Sequence, residues 1–246
     1  MPSTVVHLAV GAVVAAALLG DEFDRRSVAV VLAATAVPDV DTFAGLYLQG
    51  THRALLHTLV LPLGAGAVLA YDTRLRPASW LLGRWGVRGV RVAWVALAAL
   101  SIGGILPDLM TNGVNVFYPF YDRFFTVDGE LLLSNQRGVV QTFVDLSADP
   151  RRTTENTHYW TGVDPTRGAE PENVERIFPV VRSGFQLLVV FLGSFTLGGR
   201  FSAEQSPRRS IRSRSRPRQS PVTGATCRHS DSCRSSGDTR LRRGTA

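Results

Sequence analysis

Two segments, THRALLHT (51–58) and VPDVD (37–41), place His52, Arg53, His57, Asp39 and Asp41 between runs of Ala, Val and Leu. His7 and Asp108 lie at the edges of two further apolar runs. Polar groups among apolar residues are costly unless they are satisfied or used. Singly, each has a plain reading: a hydrogen-bonded packing histidine, a turn or cap aspartate, an interface arginine. Together, imidazoles and carboxylates are the ligands of a divalent metal site. The candidate metal set is His7, Asp39, Asp41, His52, His57 and Asp108, with His52, His57, Asp39 and Asp108 foremost. Zinc or manganese suits mixed nitrogen and oxygen ligands. Asp41 is either a ligand or a general base, and Arg53 is a candidate to hold a phosphate or a developing negative charge.

The elements that must position these groups follow from the bunching of apolar residues. Val5–Leu19, Val28–Val37, Ala54–Ala70, Val90–Leu106 and Phe185–Gly199 are rich in Leu, Val, Ala and Gly, and Arg91 is the only charge inside any of them. A spanning helix needs roughly 17–25 such residues, so these runs predict an all-α polytopic membrane protein of about four to five helices. The second run is the shortest, and fits a tilted span, a re-entrant helix or a buried core helix. The competing architecture is a soluble all-α core.

If the first four runs all cross, the start of the first, the end of the second, the start of the third and the end of the fourth share one side of the membrane. His7, Asp39, Asp41, His52, His57 and Asp108 then meet at one face. Local rules predict how. Pro38 disfavours α conformation at Val37, and an extended 39–41 segment would aim both aspartates at one target. His52 and His57 are about 140° apart on an ideal helix, so they share a ligand only if Thr51 caps the third helix and His52 lies in its frayed first turn. Pro107 should break or kink the fourth helix just before Asp108.

Charge divides the chain. Residues 1–199 hold 15 Arg and 17 acids, a net of −2, whereas 200–246 hold 12 Arg and 3 acids, a net of +9. The expected organisation is 1–106 as membrane helices carrying the cluster, 107–184 as a polar extramembrane region, 185–199 as the last membrane helix and 200–246 as a disordered Arg/Ser-rich tail. Arg-Ser tracts bind RNA and basic tails hold anionic lipid in other settings, but a solvated tail or a reading-frame slip near residue 200 is the favoured reading here, and nucleic acid is not an expected partner. Cys227, Cys233 and His229 in that tail lack the paired spacing of a zinc finger. NVFYPFYDRFF (115–125) reads as an interfacial aromatic belt. Arg25 and Arg26, then Arg74, Arg76, Arg84 and Arg88, follow the first and third runs. Arg-rich loops stay cytoplasmic, which predicts a multi-pass cytoplasmic-membrane protein with the polar cluster on the outer face.

The order His7, P-D-V-D (38–41), H-R-x-x-x-H-T (52–58) and P-D-L-M-T-N-G-V-N-V-F-Y-P (107–119) resembles the YdjM-like membrane-bound metal-dependent hydrolases over roughly residues 1–120. The resemblance implies a multi-pass protein with Asp39, Asp41, His52, His57 and Asp108 at a metal. Two departures stand out. Gly104 occupies the position of a family histidine four before Asp108, and Ala54, Leu56 and Thr58 replace the family's Gly, Thr and Ser. His158 is a candidate substitute ligand. The expected chemistry is metal-activated attack of water on an ester or phosphoester, with the bilayer as partner and a lipid or phosphoester as substrate. The alternatives are a non-enzymatic membrane protein with a structural metal, and a transporter.

Overall fold

The computed structural model describes residues 2–127, 129–142 and 152–214. Helix α1 (Thr4–Leu18) starts where Ser3 Oγ accepts the Val6 N–H at 3.4 Å, which satisfies one orphan donor of its first turn. Helix α2 (Arg25–Ala36) starts at Asp24, whose carboxylate accepts the Ser27 N–H at 2.8 Å. A 3-10 turn (Pro38–Val40) and the short α3 (Asp41–Gly45) follow after a 47° bend. Here the structure departs from the extended segment expected. Val37 keeps helical angles (φ −54°, ψ −44°), and Pro38 opens the next turn, where its missing N–H has no partner to lose.

The third apolar run also differs from expectation. Helix α4 spans Val60–Ala70, continued by a π turn over Tyr71–Leu75, so residues 51–59 are irregular and Thr51 caps nothing there. Pro62 explains this. Within the first turn of α4 its ring is harmless, but in a longer helix it would clash with the carbonyl four residues back. Helix α5 (Trp80–Ala99) kinks at Gly86, which takes φ 67°. A π stretch (Leu100–Ile105) then leads into α6 (Leu106–Leu109). The sequence predicts a break or kink just before Asp108, and the regular helix indeed ends in the π stretch there, although Pro107 is not the residue that interrupts it. Instead it lies in the first turn of α6, just past the π stretch, where the regular i−4 ladder is already interrupted.

Between α6 and the last helix the described residues are irregular apart from a hairpin of β1 (Leu131–Ser134) and β2 (Gly138–Gln141), with Leu131 opposite Gln141 and Ser134 opposite Gly138. The expected all-α class missed it. Its turn is set by Ser134 Oγ, which accepts the N–H groups of Gln136 and Arg137 at 3.2 and 3.1 Å, and by Gly138 at φ 69°. Helix α7 (Gly184–Arg214) continues past Gly199, so 200–214, expected within a disordered tail, is helical. Adding residues to a formed helix is easy where, as at Ala203–Gln205, they are good helix formers. The rest of that tail, with Cys227, His229 and Cys233, lies outside the described residues.

Helices α1, α2 and α5 form the core. Val14, Ala15, Leu19, Phe23, Val28, Val31, Val95 and Ala99 pack there. Small residues allow the close approach, as in lipid-embedded bundles. A Cβ on Gly103 would lie 3.1 Å from Gly11 N, so the π stretch and α1 touch backbone to backbone. Likewise a Cβ on Gly193 would lie 2.8 Å from Ala9 Cα, which seats α7 on α1. Among the described residues, Trp80–Leu109 and Gly184–Glu204 are long and apolar enough to cross a membrane, and the bent pair Arg25–Ala36 and Pro38–Gly45 makes a third if it is one span. Helix α1, at 15 residues, is about 22 Å long.

Candidate metal centre

Four segments deliver the polar side chains to one end of the bundle. His7 comes from the first turn of α1, Asp39 from the 3-10 turn, Asp108 from α6, and His52, Arg53 and His57 from the irregular 51–59 loop. The loop is held in place by its backbone: the Asn115 N–H donates to Arg53 O at 2.9 Å and the Leu59 N–H to Val116 O at 2.9 Å. Thr58 Oγ1 donates to Val116 O at 2.8 Å. Arg53 itself takes φ 67°, a left-handed conformation unusual for a non-glycine residue. An irregular backbone lets His52 and His57 face common partners, which a helix would forbid.

The centre of the cluster is His7, Asp39 and Asp108, each offering one ligand atom within 4.8 Å of the others. His7 Nε2 lies 3.8 Å from Asp39 Oδ1 and 3.6 Å from Asp108 Oδ2. Its other nitrogen, Nδ1, is 2.7 Å from Gly103 O. That bond fixes Nδ1 as the protonated nitrogen and leaves Nε2 with its lone pair toward the carboxylates. His57 adds a second imidazole, with Nε2 2.9 Å from Asp108 Oδ2 and 3.8 Å from Asp39 Oδ1. His7 Nε2, His57 Nε2 and Asp39 Oδ2 are buried without a properly oriented hydrogen bond. Buried polar atoms are normally satisfied, so three such atoms in one cluster mark a place for a ligand. Two imidazole nitrogens and two carboxylates suit a divalent transition metal.

Asp41 stands one layer behind. Its Oδ1 is 2.7 Å from His52 Nδ1, and its Oδ2 is 2.8 Å from His57 Nδ1 and accepts the Arg53 N–H at 3.0 Å. Thr42 Oγ1, 3.1 Å from His52 Nδ1, completes this layer. His52 thus sits against Asp41 and packs edge-on to His57 at 5.8 Å, outside the His7, Asp39 and Asp108 trio. Arg53 is 1% exposed. Its NH2 pairs with Asp108 Oδ1, its NH1 donates to Gly113 O at 3.4 Å, and its guanidinium lies 4.7 Å from the Tyr159 ring centre.

Asp39, with its side chain 21% exposed, is the most open carboxylate of the cluster; Asp41 is wholly buried. His158, the candidate substitute ligand, faces Asp164 at 3.8 Å and takes no part in the trio. A side chain at Gly104 has no room, because its Cβ would lie 2.8 Å from Thr35 O and 2.9 Å from Pro38 Cγ. Sequence reasoning did not find Tyr159, Thr42 or the Gly103 carbonyl. None has a signal of its own, although Tyr159 adjoins the conspicuous His158.

A family model described as YdjM inner membrane protein matches residues 1–161, about two thirds of the chain. The chain belongs to this family. The YdjM match extends past the motif blocks as far as the loop that supplies Tyr159. No curated protein and no solved structure matches it. As a member of an inner membrane protein family, its exposed apolar side chains on α7, such as Phe185, Leu188, Phe191 and Phe195, suit contact with lipid rather than water.

Proposed function

We propose that this YdjM-family protein is a membrane-bound, metal-dependent hydrolase-like protein that directs water onto an ester or phosphoester at the membrane face. The observation that carries the reading is the set of buried atoms on His7, His57 and Asp39 without a well-directed hydrogen bond, gathered around Asp108 at the end of an apolar bundle. His7, His57, Asp39 and Asp108 would hold the ion, zinc or manganese by donor type. Such an ion supplies Lewis acidity and brings the pKa of water toward 7.

The chain's own residues have separable tasks in this reading. Asp41 positions His57 and His52 through their Nδ1 atoms and so presents His57 Nε2 unprotonated. Buried and engaged by three donors, it serves better as a positioning residue than as the general base. Asp39, open to solvent on one edge, is better placed to accept a proton. Arg53 fixes Asp108 and offsets its charge, and it is too enclosed to meet a substrate directly. Among the described residues two or three segments are long and apolar enough to cross; four to five crossings follow if α1 and α4 also span, and the positive-inside rule would then put the cluster on the outer face.

The test is turnover of soluble p-nitrophenyl esters and a bis-p-nitrophenyl phosphodiester by purified full-length protein loaded with zinc or manganese. Metal-dependent turnover abolished by Asp39→Ala is expected. Bound metal with no turnover of either probe class would favour a structural metal clip instead.

A further inference from the structure

The opposite end of the bundle carries a groove that the metal centre does not use. Leu18, Val87, Val90, Trp94 and Val95 line it together with Arg91, and its volume is about 370 Å³. That is at the small end of the roughly 300–1,000 Å³ of small-molecule sites. Arg91 donates from Nε to Leu18 O at 3.0 Å, which satisfies a carbonyl at the end of α1. Its NH2 would lie 3.2 Å from a Cβ on Gly20.

Among the described residues no carboxylate lies within ion-pair distance of Arg91. The nearby acids Glu22 and Asp24 face Arg88 instead, and Asp21 is exposed to solvent. A charge inside an apolar helix calls for a partner. Depth suggests which. Arg91 precedes Asp108 by 17 residues in one long helix, about 25 Å along its axis, against a hydrocarbon core about 30 Å thick. With Asp108 at one membrane face, Arg91 reaches the phosphate layer of the other.

We propose that this groove holds one acyl chain of an anionic phospholipid whose phosphate sits on Arg91. The guanidinium fork matches two phosphate oxygens. The apolar wall formed by Val87, Val90, Val95 and Leu18 receives the chain, and Trp94, one turn further into the bilayer, lies alongside it. Net negative charge on the headgroup is selected at Arg91, because the ammonium of a zwitterionic headgroup already offsets the phosphate charge that the guanidinium binds.

Trp94 provides the reporter. Full-length protein with Trp80, Trp85 and Trp160 changed to Phe is reconstituted in phosphatidylcholine bilayers, and brominated lipids are titrated in. Quenching of Trp94 by brominated phosphatidylglycerol should reach half-maximum at a mole fraction about fivefold lower than with brominated phosphatidylcholine. Arg91→Gln should abolish that difference and Arg91→Lys should keep part of it. Arg84→Gln, outside the groove, should preserve it. Equal quenching by the two lipids overturns the proposal, and so does a preference that survives Arg91→Gln. Should Arg91→Gln not fold, filling the groove with Val90→Phe, which leaves Trp94 the single reporter, must lower the preference; an unchanged preference rejects the site.

Discussion

The two ends of the helical bundle handle their charges in opposite ways. At the Arg-rich end, acids do ordinary structural work in partial exposure. Asp24 caps α2 and pairs with Arg88, while Asp72 accepts the N–H groups of Trp80 and Leu81 at 3.0 Å each and so caps α5. At the other end His7, His57, Asp41, Asp108 and Arg53 are almost wholly buried, and several of their atoms lack a partner. Capping leaves no atom over. A cluster built to hold something else does. The contrast separates polar residues whose every partner is in the fold from a buried cluster that could hold a metal ion.

Breaking the buried end should cost most. Asp108→Ala removes the partner of Arg53 and leaves a buried guanidinium unpaired, a loss of about 3–5 kcal/mol. Thermal unfolding in detergent should show a large drop in midpoint, or failure to accumulate in the membrane fraction. The same substitution at Asp24 removes only a cap, about 1 kcal/mol. Comparable losses for the two variants would erase the distinction between the ends.

Asp41→Asn tests the layer behind the candidate ligands. The amide keeps the shape but weakens the hold on the His57 and His52 rings, and metal affinity should fall about 10–100-fold. Titration with a competing chelator measures this. Unchanged affinity would mean that Asp41 does not orient the imidazoles.

Glycine substitutions sharpen the comparison further. A Cβ at Gly103 would lie 2.8 Å from Thr35 Cγ2 and 3.1 Å from Gly11 N. Gly103→Ala should therefore cost about 1–3 kcal/mol by overpacking and also loosen metal binding, since Gly103 O orients His7. Gly64, in α4, meets nothing within 4 Å, so Gly64→Ala should be neutral or stabilising by up to about 1 kcal/mol.

The smallest effect is the pH response of the Arg-rich end. The Ser27 N–H and Arg88 hold Asp24 at a pKa of about 2, below its ordinary 3.8. A depressed folded pKa gives stability that is present above the unfolded value and is lost as pH falls from about 4 through 2. Wild-type protein should lose slightly more stability than Asp24→Asn across that window, read as the difference in melting temperature. A difference that stays constant from pH 4 to pH 2, or widens as the pH falls, would refute the assignment.

Much of the site was legible because ligand chemistry restricts residue types. Imidazoles and carboxylates inside Ala/Val/Leu runs stand out whatever the backbone does, and the alternating direction of helices brings their ends together. The backbone that aims them was much harder to read. The apolar residues from Ala54 onward read as helix, although Pro62 limits how far α4 (Val60–Ala70) can extend toward them. The helical turn at 38–40 and the π stretch at 100–105 are tertiary adjustments without a local signature. The β1–β2 hairpin depends on a serine turn and one glycine, too little to rise above the surrounding loop. Thus the candidate ligands are legible from their chemistry, while the division into inner trio and outer Asp41/His52 layer is visible only in the folded chain.

Metal content of the detergent-purified, full-length protein tests the central claim most directly. Asp39 is the best residue to change, because its Oδ2 has no hydrogen bond to lose and its side chain is partly open to solvent. Elemental analysis should find about one zinc or manganese ion per wild-type chain, as expected for one mixed nitrogen and oxygen site. That ion should be absent from folded Asp39→Ala and His7→Ala and retained in Asp24→Ala. Wild-type protein without a divalent ion, or undiminished metal in folded Asp39→Ala and His7→Ala, would contradict the account.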